Sequence, residues 1–135
     1  MSIPQPWTAL TMGKLLLVSG SVTSPSSTYH TVLPHIQPRQ GTREVGANIL
    51  GVHVEGPFIS TEKKGAHMEK HIRDPVKGME SVRAMYGPGL VNVTIITLAP
   101  ELPGEMEVVT SCVGAGITVC LGHTMAEVAQ GGEAY

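Results

Sequence analysis

Three residues able to ligate a metal ion or handle a proton recur at equivalent places. Glu55, Glu101 and His123 each come at or just past the end of a short apolar run. The runs are Asn48 to Val54, Val91 to Leu98 and Ile117 to Leu121, closed respectively by Gly56-Pro57, Ala99-Pro100 and Gly122. Short apolar runs that stop at Gly or Pro read as buried strands. In parallel α/β sheets, ligands and metals bind beyond the C-terminal strand ends. A carboxylate and an imidazole from neighbouring strand ends suit a divalent metal such as zinc. Taken singly, each has a plainer reading, because an isolated Glu is normally solvated and an isolated His normally has a structural hydrogen bond.

Other polar residues rank below these. His53 alternates with Glu55 on one side of its strand and is expected to make a structural hydrogen bond. His35 and His71 lie in polar surroundings and read as surface. Lys63 and Lys64 suit either a phosphate or plain solvation, and Glu101 is expected to hold loop backbone in place.

Helices must carry the chain between these strands. Ser24-Pro25-Ser26-Ser27-Thr28 reads as a turn into a short helix with Tyr29, Val32, Leu33 and Ile36 at helical spacing, interrupted by Pro34. Pro75 can open a helix carrying Val76, Met79, Val82 and Tyr86, stopped by Gly87-Pro88-Gly89. Another is expected from Glu105 to Val113. Thr124-Met125-Ala126-Glu127 has the form of a capping box, predicting a helix directly after His123. Residues 1–21 show no clear period around the apolar Leu15-Leu16-Leu17-Val18. The order β-α-β-α-β-α implies an α/β fold with parallel strands buried on both faces. The chain stops at Tyr135 inside the last helix, which reads as a truncation.

Composition narrows the function classes. The 135 residues suffice for one core, and with 4% aromatics that core must be aliphatic. A net charge of -2, without a basic stripe, gives no case for nucleic acid. No run approaches the ~20 apolar residues of a membrane helix, and no secretory signal is evident, so a cytoplasmic protein is expected. Cys112 and Cys120 lie in apolar stretches and read as buried free thiols.

Four segments together carry a family resemblance. Val52-His53-Val54-Glu55-Gly56-Pro57-Phe58 with Lys64-Gly65-Ala66-His67, then Thr97-Leu98-Ala99-Pro100-Glu101, then Leu121-Gly122-His123-Thr124, resemble in order and spacing the signatures of N-acetylglucosamine-6-phosphate deacetylases. Thr124 stands where the family has Ser. The resemblance runs from about Val22 to Tyr135. It implies an amidohydrolase (β/α)8 TIM barrel, here incomplete with roughly three parallel βα units over residues 22–135, preceded by a non-matching segment, 1–21. It implies a divalent metal, zinc by preference, held by Glu55 and His123, with Ala66 and His67 contacting the sugar. The implied reaction turns N-acetylglucosamine 6-phosphate into glucosamine 6-phosphate and acetate, in an enzyme that is a homodimer when intact.

The family's second histidine ligand and its catalytic aspartate find no match in these residues. Two of three metal ligands and no catalytic residue remain, so an inactive part of such an enzyme is expected. The competing readings are a non-catalytic truncated product, a phosphosugar-binding α/β domain, and a zinc amidohydrolase acting on a different amide.

Overall fold

The computed structural model describes residues 25–133 and, in backbone, residues 14–19. Four strands form one parallel sheet in chain order: β1 (Lys14–Ser19), β2 (Asn48–Glu55), β3 (Val93–Leu98) and β4 (Thr118–Leu121). The helices are α1 (Ser26–Val32), α2 (Met79–Tyr86), α3 (Glu105–Gly114) and α4 (Val128–Glu133). The alternation expected from the sequence is present with one addition. Lys14–Ser19, within the segment that shows no period, pairs with β2 from Lys14↔Asn48 to Ser19↔Val54. The other expectations for residues 1–13 and 20–24 lie outside the described residues.

The sheet buries one face fully and the other in part. Val52 and Val54 of β2 and Ile96 and Leu98 of β3 are wholly buried. Helices cover them with side chains at helical spacing: Met79, Val82 and Tyr86 from α2, and Val108, Val109 and Cys112 from α3. Phe58 and Tyr29 meet the Tyr86 ring edge-on at centroid distances of 6.2 and 5.1 Å, the arrangement aromatic quadrupoles favour. On the opposite face His53, Glu55 and Ile95 are half-buried, so the expectation of two fully buried faces holds for one only.

A register irregularity between Val52 and His53 has a visible cause. Gly51 has φ +143°, and a Cβ there would stand 2.3 Å from Thr94 Cγ2. The Thr94 side chain thus occupies the space a side chain at position 51 would need, which is why a glycine interrupts the strand.

Three helix boundaries differ from expectation. α2 starts at Met79 rather than Pro75, because Gly78 (φ +52°) turns the chain just before it and leaves Val76 exposed. Pro34 ends α1 in a single 3-10 turn, Leu33–His35. The capping box does not form. The Thr124 hydroxyl donates to Glu101 Oε2 and accepts from the Ala126 N–H, so the chain stays non-helical until Val128. Both cysteines are free, Cys112 buried and Cys120 half-buried.

Candidate metal centre

Glu55, His67 and His123 each offer one ligand atom within 4.8 Å of the other two. Each comes from a different stretch of chain. Glu55 is the last residue of β2, whose register against Thr97 puts it at the C-terminal edge of the sheet. His123 follows β4 by two residues. His67 lies on the long loop between β2 and α2, brought inward by a turn in which its N–H donates to the Lys64 carbonyl at 2.9 Å.

Backbone bonds tie these three segments together. Tyr86 Oη donates to the Gly56 carbonyl at 2.7 Å, a buried bond that fixes the chain just after Glu55. The Ser60 N–H donates to the His123 carbonyl at 2.8 Å, the Ala99 N–H to Phe58 at 3.0 Å, and the Gly122 N–H to Leu98 at 3.0 Å. The ends of β2, β3 and β4 therefore form one hydrogen-bonded rim.

His123 has the one positive φ recorded for a non-glycine residue among the described residues, +53°. That conformation costs roughly 1–3 kcal/mol and persists where surroundings over-determine it, commonly at functional sites. Gly122 allows the approach, since a Cβ there would lie 2.9 Å from Thr97 Cγ2. Gly65 (φ +56°) carries the loop past the His123 ring. Its Cβ position would be 3.6 Å from Cε1, an ordinary contact, so backbone conformation rather than space calls for glycine.

The His123 ring is oriented from both sides. Nδ1 donates to the Lys63 carbonyl at 2.7 Å, and Nε2 lies 2.5 Å from Glu55 Oε1. A backbone carbonyl can only accept, so Nδ1 carries a proton in this arrangement. The Lys63 carbonyl and, with it, the Glu55 carboxylate hold the imidazole above its ordinary pKa. With Nδ1 committed to a carbonyl, Nε2 is the nitrogen left for a metal, the orientation usual for metal-ligating histidines. His67, 4% exposed, packs edge-on against His123 at a centroid distance of 4.7 Å. Burial, reinforced by His123, lowers its pKa, which favours the neutral ring a metal needs. One carboxylate and two imidazoles match a common donor set of catalytic zinc sites, so the residues fit a divalent ion.

The structure thus brings together Glu55, His123 and His67, while Ala66 is exposed on the adjoining loop. Glu101 stays outside the cluster. Its carboxylate takes the Thr124 hydroxyl and the Met125 N–H (2.7 Å), the loop-holding task expected of it. His53 Nε2 meets Thr97 Oγ1 at 2.6 Å, the structural bond expected. Lys64 pairs with Glu69 at 2.5 Å. The carbonyl of Lys63 and the hydroxyl of Tyr86 were not singled out by sequence, and backbone acceptors carry no residue-type signal. A cavity of about 520 Å³ opens instead at the opposite end of the sheet, lined by Arg83, Leu90, Val93 and Ile117 among others, far along the strands from these residues.

A parallel α/β sheet with a carboxylate and two imidazoles on its C-terminal rim belongs to the class of α/β proteins whose strand ends form the ligand-binding edge, and these three side chains could hold a metal there. No protein-family model matches the chain. It is 50% identical over 114 residues to the N-acetylglucosamine-6-phosphate deacetylase of Bos taurus, 84% of this chain and 27% of that protein. The crystal structure of N-acetyl-D-glucosamine-6-phosphate deacetylase from Mycobacterium smegmatis superposes with a TM-score of 0.66 at 28% identity, over 92% of this chain and 30% of that one. A mutant of that enzyme in complex with N-acetyl-D-glucosamine-6-phosphate gives 0.67 at 26% identity, over 94% and 32%. The chain spans about a quarter of the length of the curated relatives it matches. Over that span the chain is similar to the N-acetylglucosamine-6-phosphate deacetylases.

Proposed function

We propose that the chain supplies the metal-holding part of a TIM-barrel deacetylase that hydrolyses N-acetylglucosamine 6-phosphate to glucosamine 6-phosphate and acetate. The observation that carries this is the meeting of Glu55 and His123 at the strand-end rim in a chain half identical to such deacetylases. Glu55 and His123 are the proposed ligands, and zinc the proposed ion. Bound there, such an ion supplies Lewis acidity toward the acetamide carbonyl and lowers the pKa of water to about 7.

This chain's residues do the holding and orienting. The Lys63 carbonyl fixes the His123 ring, and Tyr86 fixes the backbone after Glu55. Glu55 and His123 side chains keep a quarter of their surface exposed, so a substrate can approach from the open side of the rim. Exposed Ala66 and its neighbour His67 form the wall beside the proposed sugar position. The proton-transferring group is assigned to none of these residues, so the chain alone is expected to release no acetate.

The test is a chimera in which residues 22–135 replace the matching stretch of the bovine enzyme. It should release acetate from N-acetylglucosamine 6-phosphate with zinc present, and Glu55→Gln should abolish that release. A folded chimera without activity, or an active Glu55→Gln version, refutes the proposal.

A further inference from the structure

We propose that this chain pairs with a second copy of itself, β4 of each copy against β1 of the other, so that two half-barrels close into one parallel barrel of eight strands. The inference goes beyond the reading above and rests only on its barrel, not on its metal or its substrate.

The number and order of the units carry it. The chain is four strands, each followed by a helix: β1, α1, β2, α2, β3, α3, β4, α4. The strands are all parallel and stand side by side in chain order. A TIM barrel is eight such units around one axis, so a single copy is half of that ring. Among the described residues β4 pairs only with β3 and β1 only with β2, which leaves each with a free row of N–H and C=O groups. A two-fold rotation about an axis along the strands brings β4 of each copy to β1 of the other with every strand still parallel. Antiparallel pairing of β4 with β4 would leave both β1 edges bare, whereas this closure leaves no edge at all.

The last helix supports the same partner. A helix that follows a barrel strand lies against that strand and the next one round. The helices that have a following strand are seated: α1 buries Tyr29, α2 buries Met79, Val82 and Tyr86, and α3 buries Val108, Val109 and Cys112. α4 has no following strand, and none of its described residues is buried. Val128 in it is 94% exposed, and Met125 just before it 52%. β1 of a second copy is the strand that α4 lacks. The sheet face away from the helices is also short of cover. His53, Glu55 and Ile95 are half-buried there, and Thr118 and Cys120 share that face through their register with Ile95 and Thr97. Closure turns it into the inside of the barrel.

Sedimentation equilibrium of the 135-residue chain over a concentration series tests the proposal, and should approach twice 14.2 kDa. In a mixture of 15N- and 13C-labelled copies, isotope-filtered NOEs should join β4 of one copy to β1 of its partner. Thr118 is exposed at the start of β4 and would enter the barrel, so Thr118→Lys should weaken the dimer by at least about 100-fold through the cost of burying a charge. The NOEs of the unaltered chain keep the test decisive should that variant unfold. A monomer throughout, NOEs joining β4 to β4, or a Thr118→Lys chain that dimerises as tightly as the wild type overturns the inference. Open-ended oligomers overturn it too, since they mean that the edge contact does not close at two copies. None of these outcomes touches the deacetylase reading, which the chimera tests by itself.

Discussion

Glu105 opens α3 at a core position, three residues before Val108 and seven before Cys112, and its side chain is wholly buried. Neither carboxylate oxygen has a hydrogen-bond partner. Burial raises its pKa to about 8 from an ordinary 4.5, and the nearby Glu101 and Asp74 carboxylates add to the effect. The helix N-terminus opposes this, but such a dipole contributes only about 0.3–1 kcal/mol, against several for desolvating a charge. The folded carboxyl therefore keeps its proton up to about pH 8, whereas the unfolded one loses it near 4.5. Its contribution to stability is fully present below pH 4.5 and is lost as pH rises toward 8. Each pH unit in that window removes about 1.4 kcal/mol, which comes to roughly 3 kcal/mol by pH 7. Glu105→Gln keeps the shape and cannot ionise. Urea unfolding of both chains at pH 5, 6 and 7 should show the variant gaining on the wild type by about 1.4 kcal/mol per unit. Comparing the two chains cancels the other titrating groups. A difference that does not change with pH would mean that Glu105 is ionised in the fold, and the reasoning would fail.

Three further outcomes follow from particular contacts. Tyr86→Phe leaves the buried Gly56 carbonyl without its donor and should destabilise the chain by about 1–3 kcal/mol in urea at pH 7, while a neutral result would deny that bond a role. Glu101→Ala removes a charged acceptor from the Met125 N–H, so hydrogen exchange at that amide should quicken at least about tenfold, and an unchanged rate would sink the claim that Glu101 holds the loop. Gly51→Ala places a Cβ against the Thr94 methyl and should cost at least about 2 kcal/mol. Adding Thr94→Ala should recover part of that loss, and strictly additive losses would show that the two side chains do not compete for the space.

The sequence signals that succeeded are those set by local chemistry. The apolar runs ending at Glu55, Leu98 and Leu121 are strands, because β-branched residues bounded by Gly and Pro leave the backbone few alternatives. Their polar end residues meet at one edge because parallel strands align all their C-terminal ends there. What stayed hidden depends on partners remote in the chain. Lys14–Ser19 is a strand because β2 offers it an edge, and its own run of Leu and Val has no period that separates strand from helix. Thr124 to Glu127 carries a helix-start pattern, yet Glu101, more than twenty residues earlier, captures the Thr124 hydroxyl and the Met125 N–H. Capping geometry is local and worth about 1 kcal/mol, so bonds to a carboxylate across the rim outweigh it. His67 shows the same limit at the site itself. Its ring packs against His123, 56 residues later, with Nε2 4.0 Å from Glu55, 12 residues earlier, contacts that the spacing of the Gly65-Ala66-His67 loop does not show. Residue type and spacing therefore name the atoms that could bind a metal, and only the fold decides which of them face one another.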